Sequence, residues 1–501
     1  VASSTRRSPT TPSATRAAPD VAISTFPPLL RLDARDRRTS SDEAALMGLL
    51  DQLYDEGKRL RDKWAPPEDA VRDLKLYRGA APINLSRDPY FEANFIQAFI
   101  DRMVAQLTDN RPMLRVENIK AGLKRVAQVL ERVSEAEWEN SSVQRQTFKM
   151  CHEAAVTRSA GLYTGYDPVT DQIVMEVLRL PQVVVDPAVT EAALIGSQAE
   201  YLFIDRVRPV SELAIRFPER GAAVTPDVAI GETRDERRHR TLLSPITDLL
   251  RGSAASPDAL GRATVRECFV MDRQRLPNGR RAFPYGRMIL RTQDVLLWDG
   301  PVPLWDGEWP LDWFDWIVDP QHPWGANSEP ARLMRLQLAF NQLGDGLVEN
   351  QIITNFVTII TGWDDLEPET LKRVQSIGST LLLRMKNRNG RADVTPPPEF
   401  GQDKIALAQF MFKLAQMLTG VTDVTLGETP GSLQSGLAIE GLVEGANLMT
   451  RSRASRLEDF YARVGQRLIA RVFQFMPSDR VVSMLGPTGA AIEYAIQRQE
   501  F

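Results

Sequence analysis

Two long segments with helical spacing, separated by a stretch of different character, constrain this chain most. From about 328 the apolar residues of ARLMRLQLAFNQLGDGLVENQI recur at helical intervals, with Ser328 placed to cap and Pro330 suited to the first turn. Residues 402–419, QDKIALAQFMFKLAQMLT, repeat the pattern, and Gly420 is the C-cap candidate. At about 1.5 Å per residue this second helix spans roughly 27 Å. Between them, residues 357–400 read as a small α/β unit: FVTII strand-like, LEPETLKRVQSIG a short helix, STLLLRMKN a strand and VTPPPEF extended. A helix goes out, a compact unit sits at its tip, and a second helix comes back.

The rest of the chain runs helices, then strands, then helices, which makes the expected class α+β. Residues 42–63 read as a helix capped by Ser41, with Ala45, Leu49, Leu53 and Leu60 in a rough stripe. In 88–108, RDPYFEANFIQAFIDRMVAQL, Phe91, Phe95, Phe99 and Met103 recur at i,i+4, so a helix buried on a broad side is expected, stopped before Pro112. A third helix, with a break, is expected over 118–158. The period then changes. DQIVMEVLRL (171–180), QVVVDP (182–187) and ATVRECFVMD (263–272) read as strands, as does RMILRTQDVLLW (287–298) after the Asn-Gly turn of PNGR (277–280). Residues 219–262 read as a surface insertion whose basic run RDERRHR is interrupted by Asp235 and Glu236. After the second long helix comes TDVTLGETPGSLQSGLAIEGLVEGAN (422–447), rich in Gly, Thr and Ser and without Lys or Arg. A long helical pattern covers 435–475, with Gly441, Gly445 and Gly465 as kink points. The tail 479–501 reads as a short strand, a turn and a helix start.

Composition excludes more than it selects. With 501 residues, 43% hydrophobic and 25% charged, the chain is long enough for about three domains and a large core. A net charge of -4 and a pI near 5.7 argue against a dedicated nucleic-acid binder. Cys151 and Cys268 alone build no disulfide framework, so a reduced place of synthesis is expected. No apolar run is long enough to span a membrane. The first nineteen residues hold Arg6, Arg7 and Arg16 and no acid, but Pro9, Pro12 and Pro19 would break an amphipathic transit helix, so a disordered arm over 1–41 is expected.

Catalytic patterns are missing. Gly427 to Gly431 has the wrong spacing for a phosphate-binding loop, follows a helix rather than a strand, and is followed by no Lys. His152, His239 and His322 are scattered, which gives no metal-ligand spacing. Cys151 and His152 are adjacent, so on a helix they point about 100° apart, more like a core thiol and a partly exposed imidazole than a catalytic pair. No G-x-S-x-G surrounds Ser432 or Ser435. The Trp-rich LWDGEWPLDWFDWIVDP (304–320) reads as a core or subunit-interface anchor. No catalytic, cofactor or metal site is expected, and the chain reads as a non-enzyme.

The order of parts resembles the portal proteins of tailed bacteriophages. Four stretches carry the resemblance: NFIQAFIDRMVAQLTDNRPMLRV (94–116), VMEVLRLPQVVVDP (174–187), WGANSEPARLMRLQLAFNQL (324–343) with Gln337 and Asn341, and LTGVTDVTLGETPGSLQSGLAIEGL (418–442) with Ser435, Gly436, Ala438 and Ile439. The resemblance covers about 42–477. The resemblance implies a portal-type fold: a helical and β wing over 42–327, a stem at 328–356 and 401–420, a clip at 357–400, a channel loop at 421–434, a long kinked helix at 435–477 and a short crown at 478–501.

The resemblance also implies a dodecameric ring at one capsid vertex, assembled in the host cytoplasm as part of the virion. Double-stranded DNA would pass through it without sequence specificity. Its partners would be the terminase motor, a head–tail adaptor, and the major capsid and scaffolding proteins; no membrane and no cofactor are implied. Channel-facing candidates are Asp423, Thr425, Leu426, Gly427, Glu428, Thr429, Gly431, Ser432 and Gln434. Clip candidates for motor or adaptor contact are Asp364, Asp365, Lys372, Arg373, Arg384, Lys386, Arg388 and Arg391. The alternatives are another ring-forming head–tail adaptor, or a packaging enzyme, which would need a Walker loop or an acidic metal cluster.

Overall fold

The computed structural model describes residue 26 and residues 41–79, 91–109, 124–168, 170–227, 261–276, 278–354, 358–361, 392–395, 402–421, 448–475, 481–485 and 491–495. Five helices come first: α1 (Ser41–Trp64), α2 (Pro67–Tyr77), α3 (Phe95–Thr108), α4 (Lys124–Asn140) and α5 (Val143–Thr157). Strands follow, with two short helices among them: β1 (Ser159–Asp167), β2 (Gln172–Arg179), β3 (Val183–Val185), α6 (Ile195–Gln198), β4 (Tyr201–Pro209), α7 (Val210–Arg216), β5 (Arg262–Val270), β6 (Arg287–Arg291), β7 (Leu296–Pro301) and β8 (Leu311–Asp315). The order ends with α8 (Glu329–Thr354), β9 (Thr358–Thr361), β10 (Ala392–Thr395), α9 (Gln402–Thr419), α10 (Leu448–Phe475), β11 (Val481–Leu485) and β12 (Ala491–Ala495). The α+β class expected from the sequence is the class observed.

Local chemistry sets several boundaries. α1 opens on Asp42 and Glu43 and closes on Arg61 and Lys63, charges that suit the two ends of the helix dipole. α3 begins seven residues later than the 88 expected, at Phe95, because the Asn94 side chain caps it by accepting from Gln97 N at 3.2 Å. Phe91 therefore lies before the helix, not on its stripe. The expected break in 118–158 falls between α4 and α5, where Ser142 turns left-handed at φ 50. α9 has the bounds read from the sequence, and Gly420 ends it at φ 76, its N–H donating to Gln416 O at 2.8 Å. α10 continues as a helix through Gly465; the rest of the expected 435–475 helix lies outside the described residues.

The chain divides into two compact units. The first holds residues 1–53, 206–230 and 255–303. In it β5, β6 and β7 form an antiparallel meander, with Cys268 opposite Ile289 and Met288 opposite Gly300. The single strand expected over 287–298 is two strands, since Thr292 N donates to Val295 O at 2.8 Å and turns the chain. The expected Asn-Gly turn is present, with Gly279 at φ 79. A small apolar core of Leu213, Val224, Ala263, Val265 and Leu297 fills this unit. Arg287 is fully buried between Asp272 at 3.1 Å and Asp299 at 2.7 Å.

The second unit holds residues 54–205, 231–254 and 304–501. Its sheet has the order β2-β1-β8, antiparallel throughout, with Leu162 opposite both Val177 and Asp312. Helices α3, α5 and α10 and the start of α8 enclose it, and their apolar faces meet in one core that includes Phe99, Met150, Phe314, Trp316, Leu333 and Phe460. The same unit pairs β3 with the first half of β4, β9 with β10, and β11 with β12, all antiparallel. The tail is thus a strand pair; its second half is β12, not the helix start expected from the sequence. Trp309, Trp313 and Trp316 are buried, so the Trp-rich stretch is core, while Trp305 stays exposed.

Candidate functional site

The residues singled out by sequence lie outside the described residues: Asp423, Thr425, Leu426, Gly427, Glu428, Thr429, Gly431, Ser432 and Gln434, and Asp364, Asp365, Lys372, Arg373, Arg384, Lys386, Arg388 and Arg391. What is described is their mounting. β9 and β10 pair in the register Thr358–Thr395 to Thr361–Ala392 and bracket the second group. α9 and α10 bracket the first.

α8 and α9 pack against each other and on α3. The Phe95 ring centroid lies 5.7 Å from that of Phe340 on α8 and 6.4 Å from that of Phe412 on α9. Gln337 and Asn341, one turn apart on α8, serve the open N-terminus of α3. Gln337 Oε1 accepts from Phe95 N at 3.1 Å, and Asn341 Oδ1 accepts from Ala93 N at 3.3 Å. Gln337 Nε2 donates to Asn341 Oδ1 at 3.0 Å. These bonds satisfy helix-end donors that would otherwise be buried without partners. At the start of α8, Ser328 Oγ accepts from Ala331 N at 3.1 Å, the expected cap, and donates to Asp73 Oδ2 at 2.6 Å. Burial pushes the Asp73 carboxyl above its ordinary value; the bonds from Ser328 and Arg72 oppose the shift.

One buried carboxylate collects the flanks of 422–447. Glu329 Oε1 accepts from Trp316 Nε1 at 2.9 Å and from Arg453 Nη2 of α10 at 2.6 Å. Glu329 Oε2 accepts from Arg332 Nη1 at 3.0 Å, and Arg332 Nη2 donates to Leu418 O in the last turn of α9 at 3.0 Å. The Arg453 guanidinium also lies over the Trp316 ring, 4.6 Å from its centroid. Burial lowers the Arg453 pKa, and Glu329 counters the shift.

An arginine ladder on α10 went unread in the sequence. Arg456 meets Asp315 at 3.3 Å, Arg467 meets Asp312 at 2.8 Å and Glu308 at 3.0 Å, and Arg471 meets Asp306 at 2.9 Å. As the arginines advance along the helix, their acidic partners run backwards along 306–315, so the helix is zipped antiparallel to that segment. The signal was present: arginines at helical spacing over 456–471, and acids inside an otherwise aromatic stretch.

α9 has two unlike faces. Phe412, Ala415, Gln416 and Thr419 turn inward. Leu407, Phe410, Met417 and Leu418 form an outward stripe, with Phe410 62% and Met417 73% exposed. Elsewhere, Cys151 is a core thiol raised to about 12 by burial, while His152 Nε2 pairs with Tyr77 Oη at 2.9 Å. Among the described residues, no group of three or more His, Cys, Asp or Glu is placed to hold a metal ion, and no helix is long and apolar enough to cross a membrane.

Capping, aromatic packing and ion pairing around a paired-helix unit define a chain of mixed α+β class. Residues 371–499 match the model of the phage P22-like portal protein family. The match supports a phage portal protein, the family the sequence resembles, and that family is structural rather than enzymatic. It starts within 357–400 and takes in α9, α10, β11 and β12. The search of curated proteins gave no match.

Proposed function

We propose that the chain is the subunit of a portal ring, the conduit for double-stranded DNA into the phage head during packaging and out of it during ejection. The family match over 371–499 carries this reading. The outward stripe of α9 supports a ring: a lone chain leaves Leu407, Phe410 and Met417 in water, and neighbouring copies in a closed head-to-tail ring would cover them.

In this reading 42–327 is the wing, α8 and α9 are the stem, 357–400 is the clip, 421–434 the channel loop and 478–501 a short crown. Duplex DNA carries about one charge per 1.7 Å of axis, and a ring multiplies each channel-facing charge. The base-free 422–447, with Asp423, Glu428, Glu440 and Glu444, suits sliding rather than gripping. The clip cations from Lys372 to Arg391 suit contact with the terminase motor and later the head–tail adaptor. Negative-stain electron microscopy of the purified chain tests the reading. Axial views are expected to show a central hole and the radial symmetry of a dodecamer; well-formed particles without a channel would overturn the conduit.

A further inference from the structure

We propose that Glu329 is a positioning residue: through Arg332 and Arg453 it fixes the spacing between the two helix ends that bracket 422–447. The connection is short and continuous. From the last turn of α9 it runs Leu418 O to Arg332 Nη2 at 3.0 Å, then Arg332 Nη1 to Glu329 Oε2 at 3.0 Å. On the other side, Glu329 Oε1 takes Arg453 Nη2, in the second turn of α10, at 2.6 Å. Trp316 locks the carboxylate in place, donating Nε1 to it at 2.9 Å while its ring lies under the Arg453 guanidinium. Glu329 is fully buried and Arg453 nearly so, which shields the attraction from water and salt.

The ends of α9 and α10 share one apolar core, with Ala415 and Val421 on one side and Leu457 and Phe460 on the other. Apolar contacts are non-directional, and the clamp adds the directed polar tie that fixes the spacing. Arg332 is the arm that reaches α9, and it is the more exposed of the two arginines. Removing it cuts one arm and leaves the buried Trp316–Glu329–Arg453 group intact. If the portal reading holds, the clamp also sets how the channel loop is presented to the axis; the positional claim itself stands apart from that reading.

The test uses the full chain with spin labels at Lys413→Cys and Ser452→Cys, both exposed and outside the outward stripe of α9, while native Cys151 and Cys268 are buried. Labelled copies are diluted into unlabelled chain, and the distance between labels is read by electron–electron double resonance. Glu329→Gln and Arg332→Gln are each expected to broaden or shift the distance distribution; Arg335→Gln, on the same helix but exposed, is expected to leave it unchanged. Folding is checked by circular dichroism, and Arg332→Gln decides the matter if Glu329→Gln does not fold. An unchanged distribution in folded Arg332→Gln overturns the clamp. A changed distribution in rings that still package DNA at the normal rate supports the clamp and counts against the channel-loop reading instead.

Discussion

Asp312 lies in the β8 edge of the core between Arg467 and Arg463, with almost no solvent contact. A buried pair of this kind adds little over an apolar substitute, yet breaking it takes the buried carboxylate from both arginines and leaves Arg467 with the half-exposed Glu308. Asp312→Ala is therefore expected to destabilise the second unit by about 3–5 kcal/mol, and the double change Asp312→Leu with Arg467→Met by much less. Urea unfolding of the three chains measures the difference; equal losses in the single and double variants would mean that the pair is not the source. Asp73 gives a test by pH, because burial holds its carboxyl above the ordinary 3.8 in the folded chain. As pH falls, the folded chain takes up this proton before the unfolded one does, so the contribution is full below the ordinary value and is lost as pH rises through the raised one. The melting temperature of the wild type minus that of Asp73→Asn should thus increase from neutral pH down to about pH 4. A flat difference, or one that shrinks towards acid, would exclude Asp73.

Among the elements, α9 is where sequence and structure agree best, and its outward stripe makes the sharpest prediction. Phe410→Glu with Met417→Glu places charge on positions that a single chain already exposes, so the monomer is expected to fold and melt as the wild type does. Covered by a neighbour, the same two charges would abolish the ring. Size-exclusion chromatography with light scattering checks both halves, and rings of unaltered mass would show that the stripe faces no other copy. α9 was legible because its apolar residues, its Gly420 stop and its length all point to one answer. β1 was not: SAGLYTGYD is buried on both faces, so it lacks alternation, and Gly161 is there because a Cβ would fall 2.4 Å from the Trp313 ring. β8 hid inside the Trp-rich stretch, where aromatic content read as an anchor without indicating strand or helix. β12 was misread because AIEYA has no turn or period strong enough to separate a five-residue strand from a helix start. For the site, caps at Ser328 and Gly420 were readable because capping is local. The Glu329–Arg453 pair and the arginine ladder join residues more than a hundred positions apart, and charge pattern alone does not say which acid meets which arginine.

For the whole molecule, in the proposed conduit, the deciding quantity is how charge is distributed relative to a passing duplex. A chain with net charge -4 and no Lys or Arg in 422–447 offers DNA little to hold at that segment. Glu428→Lys with Thr425→Lys changes the local sum by three charges per copy, from the loss of one acid and the gain of two bases. In a ring that change repeats around the axis, and each phosphate neutralised steepens the fall of log binding constant with log salt by about 0.9. Wild-type rings are therefore expected to bind linear duplex weakly and with a shallow salt dependence. The lysine rings should bind it tightly at low salt, lose it steeply as salt rises, and package DNA more slowly with assembly intact. Packaging rates measured at two salt concentrations separate the cases. If the slowing is electrostatic, higher salt restores the lysine variant towards the wild-type rate. If the variant packages normally at both, 422–447 does not meet the DNA, and its missing bases reflect only a connector between two helices.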